Sequence, residues 1–280
     1  MIWARPGFLI LTILSLLTLT STSQAQTTPV SINQGQYFES FDSMGASGTT
    51  YPAGWNGYKI TGNGNQLSDG AFITGSTNPP FTVSNGGDNT GTIYNYGTTG
   101  QSDRALGSVA TATTTPGFGV VLVNNAGRVL GGADILIEFR SEQWRSGSSN
   151  NDFEHWTFEW RTGNNTLDIN DPSSVGWTVQ PGLDLVELQN SNTSGSAIDG
   201  HAVGNFQDIS GTLAGLVWNP GDRLVLRWLD SNSVGADAGM AIDRFSFWVF
   251  APVPEPTTIA TCGVALLAVL AARRRRAVLQ

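Results

Sequence analysis

The chain has 280 residues, of which 13% are charged, and its net charge at pH 7 is −8. Without the segments before Gln26 and after Pro256, nine basic residues remain against 22 acidic ones, a net charge of −13. Such a surface repels phosphate backbones and anionic headgroups, so we expect no nucleic-acid partner and favour divalent cations or neutral glycans. The single cysteine, Cys262, lies near the C-terminus, so disulfides do not hold the main part of the chain together.

Residues 1–25 predict a secretory signal peptide with a helical apolar region. Arg5 is followed by an apolar run from Phe8 to Leu19 and by the small-x-small sequence Ser23-Gln24-Ala25. The run is shorter than the roughly 20 residues that span a bilayer, so we favour cleavage before Gln26 over an uncleaved anchor helix. Residues 26–250 are then expected to form one extracellular domain.

This domain consists of short β-type runs separated by Gly, Asn, Ser, Thr and Asp, without a sustained helical period. The predicted strands are residues 37–41, 81–84, 92–96, 118–123, 134–140, 155–161, 184–188, 223–229 and 240–250. Such runs must bury one face against a second sheet. The sequence therefore predicts an all-β fold, a two-sheet antiparallel β-sandwich.

Alternation of side chains places apolar residues on one face of three predicted strands. These faces are Ile135, Ile137 and Phe139, then Trp156, Phe158 and Trp160, and finally Leu224, Leu226 and Trp228. Because aromatic rings bury large areas, we expect most tryptophans in the core. Trp55, Trp144 and Trp177 flank turn-rich segments and are the candidates for exposed rings that stack on sugars.

Residues 251–280 differ in composition from the domain before them. Pro252, Pro254 and Pro256 predict an extended spacer, and residues 259–272 predict a short transmembrane helix that ends at a run of arginines. The order of these parts resembles the PEP-CTERM sorting signal of bacteria that make exopolysaccharide. The residues that carry the resemblance are Val253, Pro254, Glu255 and Pro256, followed by Arg273, Arg274, Arg275 and Arg276.

The resemblance to this sorting signal implies a partner and a location. Proteins with the signal are thought to be substrates of exosortase, a membrane transpeptidase that cuts near the Pro-Glu-Pro motif. The apolar segment is short for a hydrocarbon core of roughly 30 Å, which favours a transient membrane insertion. The implied protein is anchored before processing and then released or transferred to the cell envelope. A permanent single-span anchor is the alternative.

The domain opens with Glu39-Ser40-Phe41-Asp42. It closes with Arg227-Trp228-Leu229-Asp230-Ser231-Asn232 and then Ala236-Asp237-Ala238-Gly239-Met240-Ala241-Ile242-Asp243. This pairing resembles jelly-roll modules of the concanavalin-like and MAM-like kind. In such modules carboxylates of this kind commonly hold a structural calcium ion. The resemblance implies Asp42, Asp237 and Asp243 as ligands, with Glu39 and Asp230 as possible additions.

The strand pattern gives separate support for a ligand role of Asp243. It has the parity of Phe245 and Phe247, so we expect it to begin on the core face, where a carboxylate needs a partner. Calcium takes 6 to 8 oxygen ligands, and the Gly/Asn/Asp loop from Asp230 to Asp237 can supply several of them. The alternatives are a salt bridge to Arg227 or Arg244, or an Asx-turn.

No catalytic residues are predicted. The sequence has two histidines, His155 and His201, no Gly-x-Ser-x-Gly motif and no cysteine in the domain. Glu154 and Glu159 point to opposite faces of one strand, and Glu138 and Glu142 lie on opposite sides of a predicted strand end. We expect a non-enzymatic envelope or matrix protein that interacts with exopolysaccharide. The alternatives are a secreted polysaccharide hydrolase or lyase on a jelly-roll fold, and a purely structural matrix protein.

Overall fold

A computed structural model of the chain describes residues 26–61, 81–148, 153–171, 175–190 and 194–252. The predicted signal peptide at 1–25 and the predicted helix at 259–272 lie outside these residues, as do the sorting residues from Val253 to Arg276. In the part that is described, no helix has the length and apolarity needed to cross a membrane.

The described chain is almost entirely β-structure. Its strands are, in chain order, β1 (Val30–Ile32), β2 (Gly35–Glu39), β3 (Trp55–Thr61), β4 (Thr82–Ser84), β5 (Thr92–Tyr96), β6 (Ala105–Val109), β7 (Thr114–Asn124), β8 (Leu130–Gly131), β9 (Ile135–Ser146), β10 (His155–Gly163), β11 (Thr178–Val179), β12 (Leu185–Val186), β13 (Ser196–Ala197), β14 (Phe206–Gly211), β15 (Val217–Trp218), β16 (Arg223–Leu229) and β17 (Gly239–Val249). Short 3₁₀ turns occur at Asp42–Met44, Gly132–Asp134 and Pro181–Leu183. The all-β prediction is confirmed.

Two large sheets face each other. The first has the order β1-β7-β16-β10-β11, with β3 paired to β7 and β12 paired to β10. The second has the order β13-β9-β17-β6-β5-β4, with β14 paired to β9 and β2 paired to β17. Neighbours are antiparallel except for the parallel pairs β1–β7 and β4–β5. The structure is thus the predicted antiparallel β-sandwich of the jelly-roll type.

Each predicted strand has a counterpart in the structure. β5 and β16 have the predicted limits, whereas the prediction at 184–188 shrinks to the two residues of β12. The sequence analysis missed the short strands β1, β8, β11, β13 and β15. It also missed three longer strands, β3, β6 and β14. Their sequences, WNGYKIT, ALGSV and FQDISG, contain glycine or polar residues where an alternating apolar pattern was sought.

The core between the sheets is rich in aromatic rings, as the period-two analysis predicted. Trp228 on β16 is fully buried and lies at its centre. Its ring lies near Trp55, Phe118 and Phe158 of the first sheet and near Phe139 and Phe245 of the second, at centroid distances of 5.1 to 6.3 Å. The indole Nε1 of Trp228 donates to the carbonyl of Leu183 at 3.0 Å, so its one polar atom is satisfied inside the core.

The last strand changes face in its middle, which corrects one expectation. Ile242 and Phe245 both belong to the core, and the register of β17 against β9 shifts between Asp243 and Ser246. Arg244 takes up the extra residue with a left-handed φ of 51°. Asp243 therefore lies on the outer face of the second sheet with Ala241, and the expectation that it shares the core face with Phe245 is wrong.

Candidate functional site

The carboxylates predicted as metal ligands lie in two separate groups. The first acidic group consists of Asp42, Asp103, Glu142 and Asp243, on the outer face of the second sheet and in two adjoining loops. The backbone N–H of Arg104 donates to Oδ1 of Asp42 at 3.1 Å, which places Asp103 beside Asp42. On the sheet itself, Asp243 of β17 lies opposite Arg140 of β9 in the backbone register. Glu39, at the end of β2, adjoins the group, because the negative charge of Asp42 acts on its carboxyl.

Burial, with repulsion from neighbouring carboxylates, raises the pKa values of Glu142, Asp243 and the adjoining Glu39. Burial raises the pKa of Glu142 to about 8, and the negative charge of Asp243 adds to the effect. Burial likewise raises the pKa of Asp243 to about 7, helped by Asp103 and Asp42. Burial also raises the pKa of Glu39. These side chains are costly to ionise unless a cation joins them.

Positive partners around the first acidic group are weak. His201 Nε2 lies 3.5 Å from Oδ2 of Asp103 and 3.9 Å from Oε1 of Glu142. Arg244 Nε is 3.5 Å from Oδ2 of Asp243, and the Arg244 side chain is exposed. The salt bridge to Arg244, one of the predicted alternatives, is therefore present but screened by solvent. The other alternative, Arg227, is instead paired with Glu159 of β10.

The second acidic group consists of Glu154, Glu187, Asp230 and Asp237, and all four side chains are buried. Their hydrogen bonds come from neutral donors. Oε2 of Glu154 accepts from the N–H of Ala238 at 2.9 Å, Oε1 of Glu187 from that of Gly147 at 2.7 Å, Oδ1 of Asp237 from that of Ser233 at 2.8 Å, and Oδ2 of Asp230 from Ser108 Oγ at 2.8 Å. No sequence pattern pointed to Glu154 and Glu187 as members, because they are distant in the chain from Asp230 and Asp237.

The second acidic group also favours its neutral forms. Burial raises the pKa of Glu154 to about 8, and the charges of Asp237 and Glu187 contribute. Burial raises the pKa of Asp237 to about 6. It raises those of Asp230 and Glu187 as well. Oε1 of Glu154 is buried and has no hydrogen-bond partner in the described part of the chain.

A single ion cannot join the two acidic groups. Asp237 precedes β17, whereas Asp243 follows the start of that strand at Gly239 by four residues, which corresponds to about 13 Å of extended chain. Calcium–oxygen distances are about 2.3–2.6 Å. The structure therefore brings Asp42 and Asp243 together, but not Asp237 or Asp230 with them. Across the described ranges, no three carboxylate, imidazole or thiol side chains have the spacing of a metal site.

The prediction of an exposed, sugar-stacking ring is wrong for two of the three tryptophans. Trp55 and Trp144 are 3% and 1% exposed. Trp144 stacks on Tyr96 with the ring centroids 6.1 Å apart, and Trp55 contacts Phe41 in the core. Trp177 is half-buried, and the guanidinium of Arg227 lies 3.4 Å from its ring centroid. The turn-rich segments beside these tryptophans thus correspond to reversals of the chain and did not indicate exposed rings.

The residues considered for enzyme chemistry lie in separate parts of the structure. His155 is on β10 of the first sheet, whereas His201 contacts Trp144 on the outer face of the second. Glu138 accepts a hydrogen bond from Trp248 Nε1 at 3.0 Å. It lies four residues from Glu142 on β9, about 13 Å along the strand, beyond the roughly 9.5 Å of glycosidase carboxylate pairs.

The surface clefts of the described domain include three that are lined by both polar and apolar groups. The Arg140 cleft, of about 390 Å³, includes Phe38, Arg140, Asp208 and Arg244. The Arg145 cleft, of about 290 Å³, includes Asn89, Arg145, Asn232 and Asp237. The Trp144 cleft, of about 350 Å³, includes Asn85, Thr99, Trp144 and Asp199. Amide, hydroxyl and guanidinium groups of this kind can bind sugar hydroxyls.

Comparison with known families identifies the C-terminal segment. Residues 252–276 match the model of the PEP-CTERM protein-sorting motif. The chain therefore carries this sorting motif, which confirms the resemblance seen from Val253 to Arg276. The motif implies export and a membrane-anchored C-terminus before processing. No curated protein sequence matches the chain.

Solved structures share the β-rich architecture at low similarity. The CBM22-1 xylan-binding domain of Paenibacillus barcinonensis Xyn10C is 12% identical, with 79% of this chain and 99% of that chain covered and a TM-score of 0.32. The enzymatically active domain of bacteriophage CBA120 tailspike protein 4 is 15% identical (73% and 21% covered; TM-score 0.33). The K3 cleaved adhesin domain of Lys-gingipain from Porphyromonas gingivalis is 14% identical (75% and 97%; TM-score 0.35). At these TM-scores the likeness supports no functional conclusion.

The protonated carboxyls predict an unusual dependence of stability on pH. A folded-state pKa above the unfolded value stabilises the fold at low pH, and this contribution is lost as the pH rises through the folded pKa. In chelator, we expect the melting temperature to fall between about pH 5 and pH 8, since unfolded carboxyls titrate near 4. Glu154→Gln should make the fall shallower, as measured by scanning calorimetry.

Asp208→Asn is the matched control for the pH experiment. The Arg140 guanidinium lowers the pKa of Asp208, so this carboxyl does not titrate between pH 5 and pH 8. The variant should keep the slope of the parent protein. A melting temperature that is constant or rises over this range would contradict the assignment of raised pKa values to the buried carboxyls.

Proposed function

We propose that the chain is an exported, non-enzymatic protein of the cell envelope or extracellular matrix whose β-sandwich binds exopolysaccharide. The observation that carries the proposal is the sorting motif at residues 252–276, directly after the last strand. The end of the domain is firmly held: the Phe250 N–H donates to the Asp134 carbonyl, and Arg128 Nη2 donates to the Phe250 carbonyl, both at 2.8 Å. The motif thus begins where the packed domain ends.

The sorting segment is proposed to insert transiently into the membrane and to be processed by an exosortase-type transpeptidase. An apolar segment followed by Arg273 to Arg276 has the form of a stop-transfer element with its positive end in the cytoplasm. The proline-flanked Glu255 then lies on the outer side, between the domain and the membrane. Cutting there separates the sandwich from its anchor.

Replacing Glu255 tests the processing step. In a bacterium that carries an exosortase, we expect the parent chain to be released without its arginine run, as intact mass will show. Glu255→Ala should leave the full-length chain in the membrane fraction. Thr257→Ala, just outside the Pro-Glu-Pro sequence, is the control and should be released normally. Equal release of the Glu255 variant would contradict recognition of this motif by the protease.

Polysaccharide binding is supported by the surface chemistry of the domain. Its acidic surface disfavours nucleic acid, and its clefts offer planar polar groups and, in the Arg140 cleft, the half-exposed ring of Phe38. Rings and planar polar side chains bind the apolar faces and the hydroxyls of sugars. The export signal brings these clefts to the place where exopolysaccharide accumulates.

Retention on immobilised polysaccharides tests the binding function. We expect the chain to be retained on at least one member of a panel of neutral and acidic polysaccharides, and to release no soluble fragments from it. Asp208→Ala changes an exposed residue of the Arg140 cleft and should reduce retention. Val203→Ala, at another exposed position, is the control and should be retained like the parent chain. No retention on any polysaccharide, with or without calcium, would contradict the proposal. Released oligosaccharides would instead establish the hydrolase or lyase alternative.

A structural calcium ion is proposed at the first acidic group, with Asp42 and Asp243 as ligands and Glu39 beside them. The proposal rests on the donor set: Glu142 and Asp243 of the sheet lie near Asp42 and Asp103 of the adjoining loops with weak positive partners, and these side chains must move closer to share an ion. The side chain of Asp103 is 48% exposed, which leaves access to the ion. Calcium prefers carboxylate and carbonyl oxygens. Asp237 and Asp230 belong to the second acidic group and are not part of this proposed set.

Thermal unfolding tests the calcium proposal. An ion that binds only the folded state must raise the melting temperature, so we expect stabilisation by millimolar calcium relative to chelator. Asp243→Asn should abolish the calcium-dependent increase, and Asp237→Asn, in the second acidic group, should preserve it. An unchanged melting temperature of the parent protein would reject the site. Loss of the effect in the Asp237 variant alone would move the site to the second group.

A further inference from the structure

The Arg145 cleft combines a positive charge with sugar-compatible polar groups. It lies between the turn that joins β6 to β7 and the loop that precedes β17. Its volume of about 290 Å³ is near the lower end of small-molecule sites, roughly 300–1,000 Å³, which suits one unit of a longer chain. The polar lining includes Asn89, Thr111, Arg145, Asn232 and Ser233.

Among the residues that the structure describes, Arg145 is a buried cation that forms no ion pair. The residue is 6% exposed. Its Nη1 contacts the carbonyl oxygens of Gly86 and Gly87 at 3.3 and 3.5 Å, and its Nε has no hydrogen-bond partner among the residues described. None of the ion pairs found in the described ranges includes it. Arginine stays charged in proteins, so the unmatched guanidinium is costly until an anion approaches.

A second unmatched donor lies beside Arg145. The hydroxyl of Tyr96 is fully buried and has no hydrogen-bond partner in the described structure. It adjoins Arg145 at Gly239: a Cβ built on this glycine would lie 2.5 Å from Tyr96 Oη and 3.0 Å from Arg145 Cβ. The close approach therefore requires glycine at this position of β17. Two buried donors without hydrogen-bond partners among the described residues, Tyr96 Oη and Arg145 Nε, therefore lie near each other at Gly239.

We propose that the Arg145 cleft binds the carboxylate of a uronic acid unit in an acidic polysaccharide. The inference rests on the proposed function and adds the chemical class of the sugar and the residue that recognises it. The guanidinium of Arg145 pairs with the carboxylate in the fork geometry that arginine provides. The amide and hydroxyl groups of Asn89, Thr111 and Asn232 bind ring hydroxyls, and Asp237 accepts a hydrogen bond from another hydroxyl.

The acidic surface of the domain limits this recognition to short range. The net charge of the domain opposes any polyanion, and this opposition weakens at physiological ionic strength, where charges more than about 8 Å apart are largely screened. Within the cleft, which Asp237 also lines, the ligand carboxylate meets a guanidinium that forms no ion pair with the described residues. Binding should therefore depend on the sugar carboxylate itself rather than on the overall charge of the polysaccharide.

The test compares polygalacturonate with its methyl ester, which has the same sugar backbone without the charge. Binding to the full chain in detergent is measured by calorimetry at physiological salt. We expect tighter binding of the acid form, and a loss of about 30-fold or more in Arg145→Gln, because one partner of a buried charge pair is removed. Arg128→Gln, which removes a guanidinium paired with Asp134 and outside the three described clefts, should leave the affinity for polygalacturonate unchanged.

Two further measurements keep the proposal testable if Arg145→Gln does not fold. Asn232→Ala, in the exposed loop that lines the cleft, should weaken binding of polygalacturonate. Free galacturonate should raise the melting temperature of the parent chain, whereas methyl galactoside should not. Equal binding of the acid and ester forms would overturn the uronate assignment and leave the proposed function intact. Absence of binding to every polysaccharide would overturn both.

Discussion

The structure depends on one aromatic contact between its sheets. Trp228 of β16 touches rings of both sheets and leaves no polar atom unsatisfied, because its indole nitrogen donates to the carbonyl of Leu183. Facing sheets pack about 10 Å apart, a gap that large rings fill with few side chains. Since side chains alternate along a strand, fixing Phe139 of β9 in this core places Arg140 and Glu142 on the outer face. The position of the first acidic group therefore follows from the packing of the core.

The same alternation explains which features could be predicted from the sequence. Where a strand runs without interruption, as in β16 and the first half of β9, period two identified the core residues correctly. It failed at Asp243, because the register shift and the left-handed backbone of Arg244 exchange the faces within β17. It also missed β6, whose small and polar residues are buried without an apolar alternation. A bulge or a doubly buried strand leaves little local signal in a single sequence.

The carboxylate groups were only partly predictable for a different reason. Glu154 and Glu187 join Asp237 through the pairing of β10 with β12 and through the loop before β17, contacts between residues far apart in sequence. Burial raises the pKa values of Glu154, Glu187 and Asp237, so the fold favours the neutral forms of these carboxyls. Such an arrangement costs stability once the carboxyls ionise. The sequence showed the abundance of acids but not their convergence.

The distribution of positive charge gives the clefts different characters. In the described domain, the guanidinium groups of Arg128, Arg140, Arg161, Arg227 and Arg244 lie in ion pairs with carboxylates of the chain. Those of Arg104, Arg145 and Arg223 contact carbonyl oxygens instead. Of these three, Arg145 lines a surface cleft and keeps an unmatched Nε. An acidic protein that pairs most of its described arginines internally, yet leaves this guanidinium without an ion pair at a cleft, has the arrangement on which the proposed recognition of an anionic sugar rests.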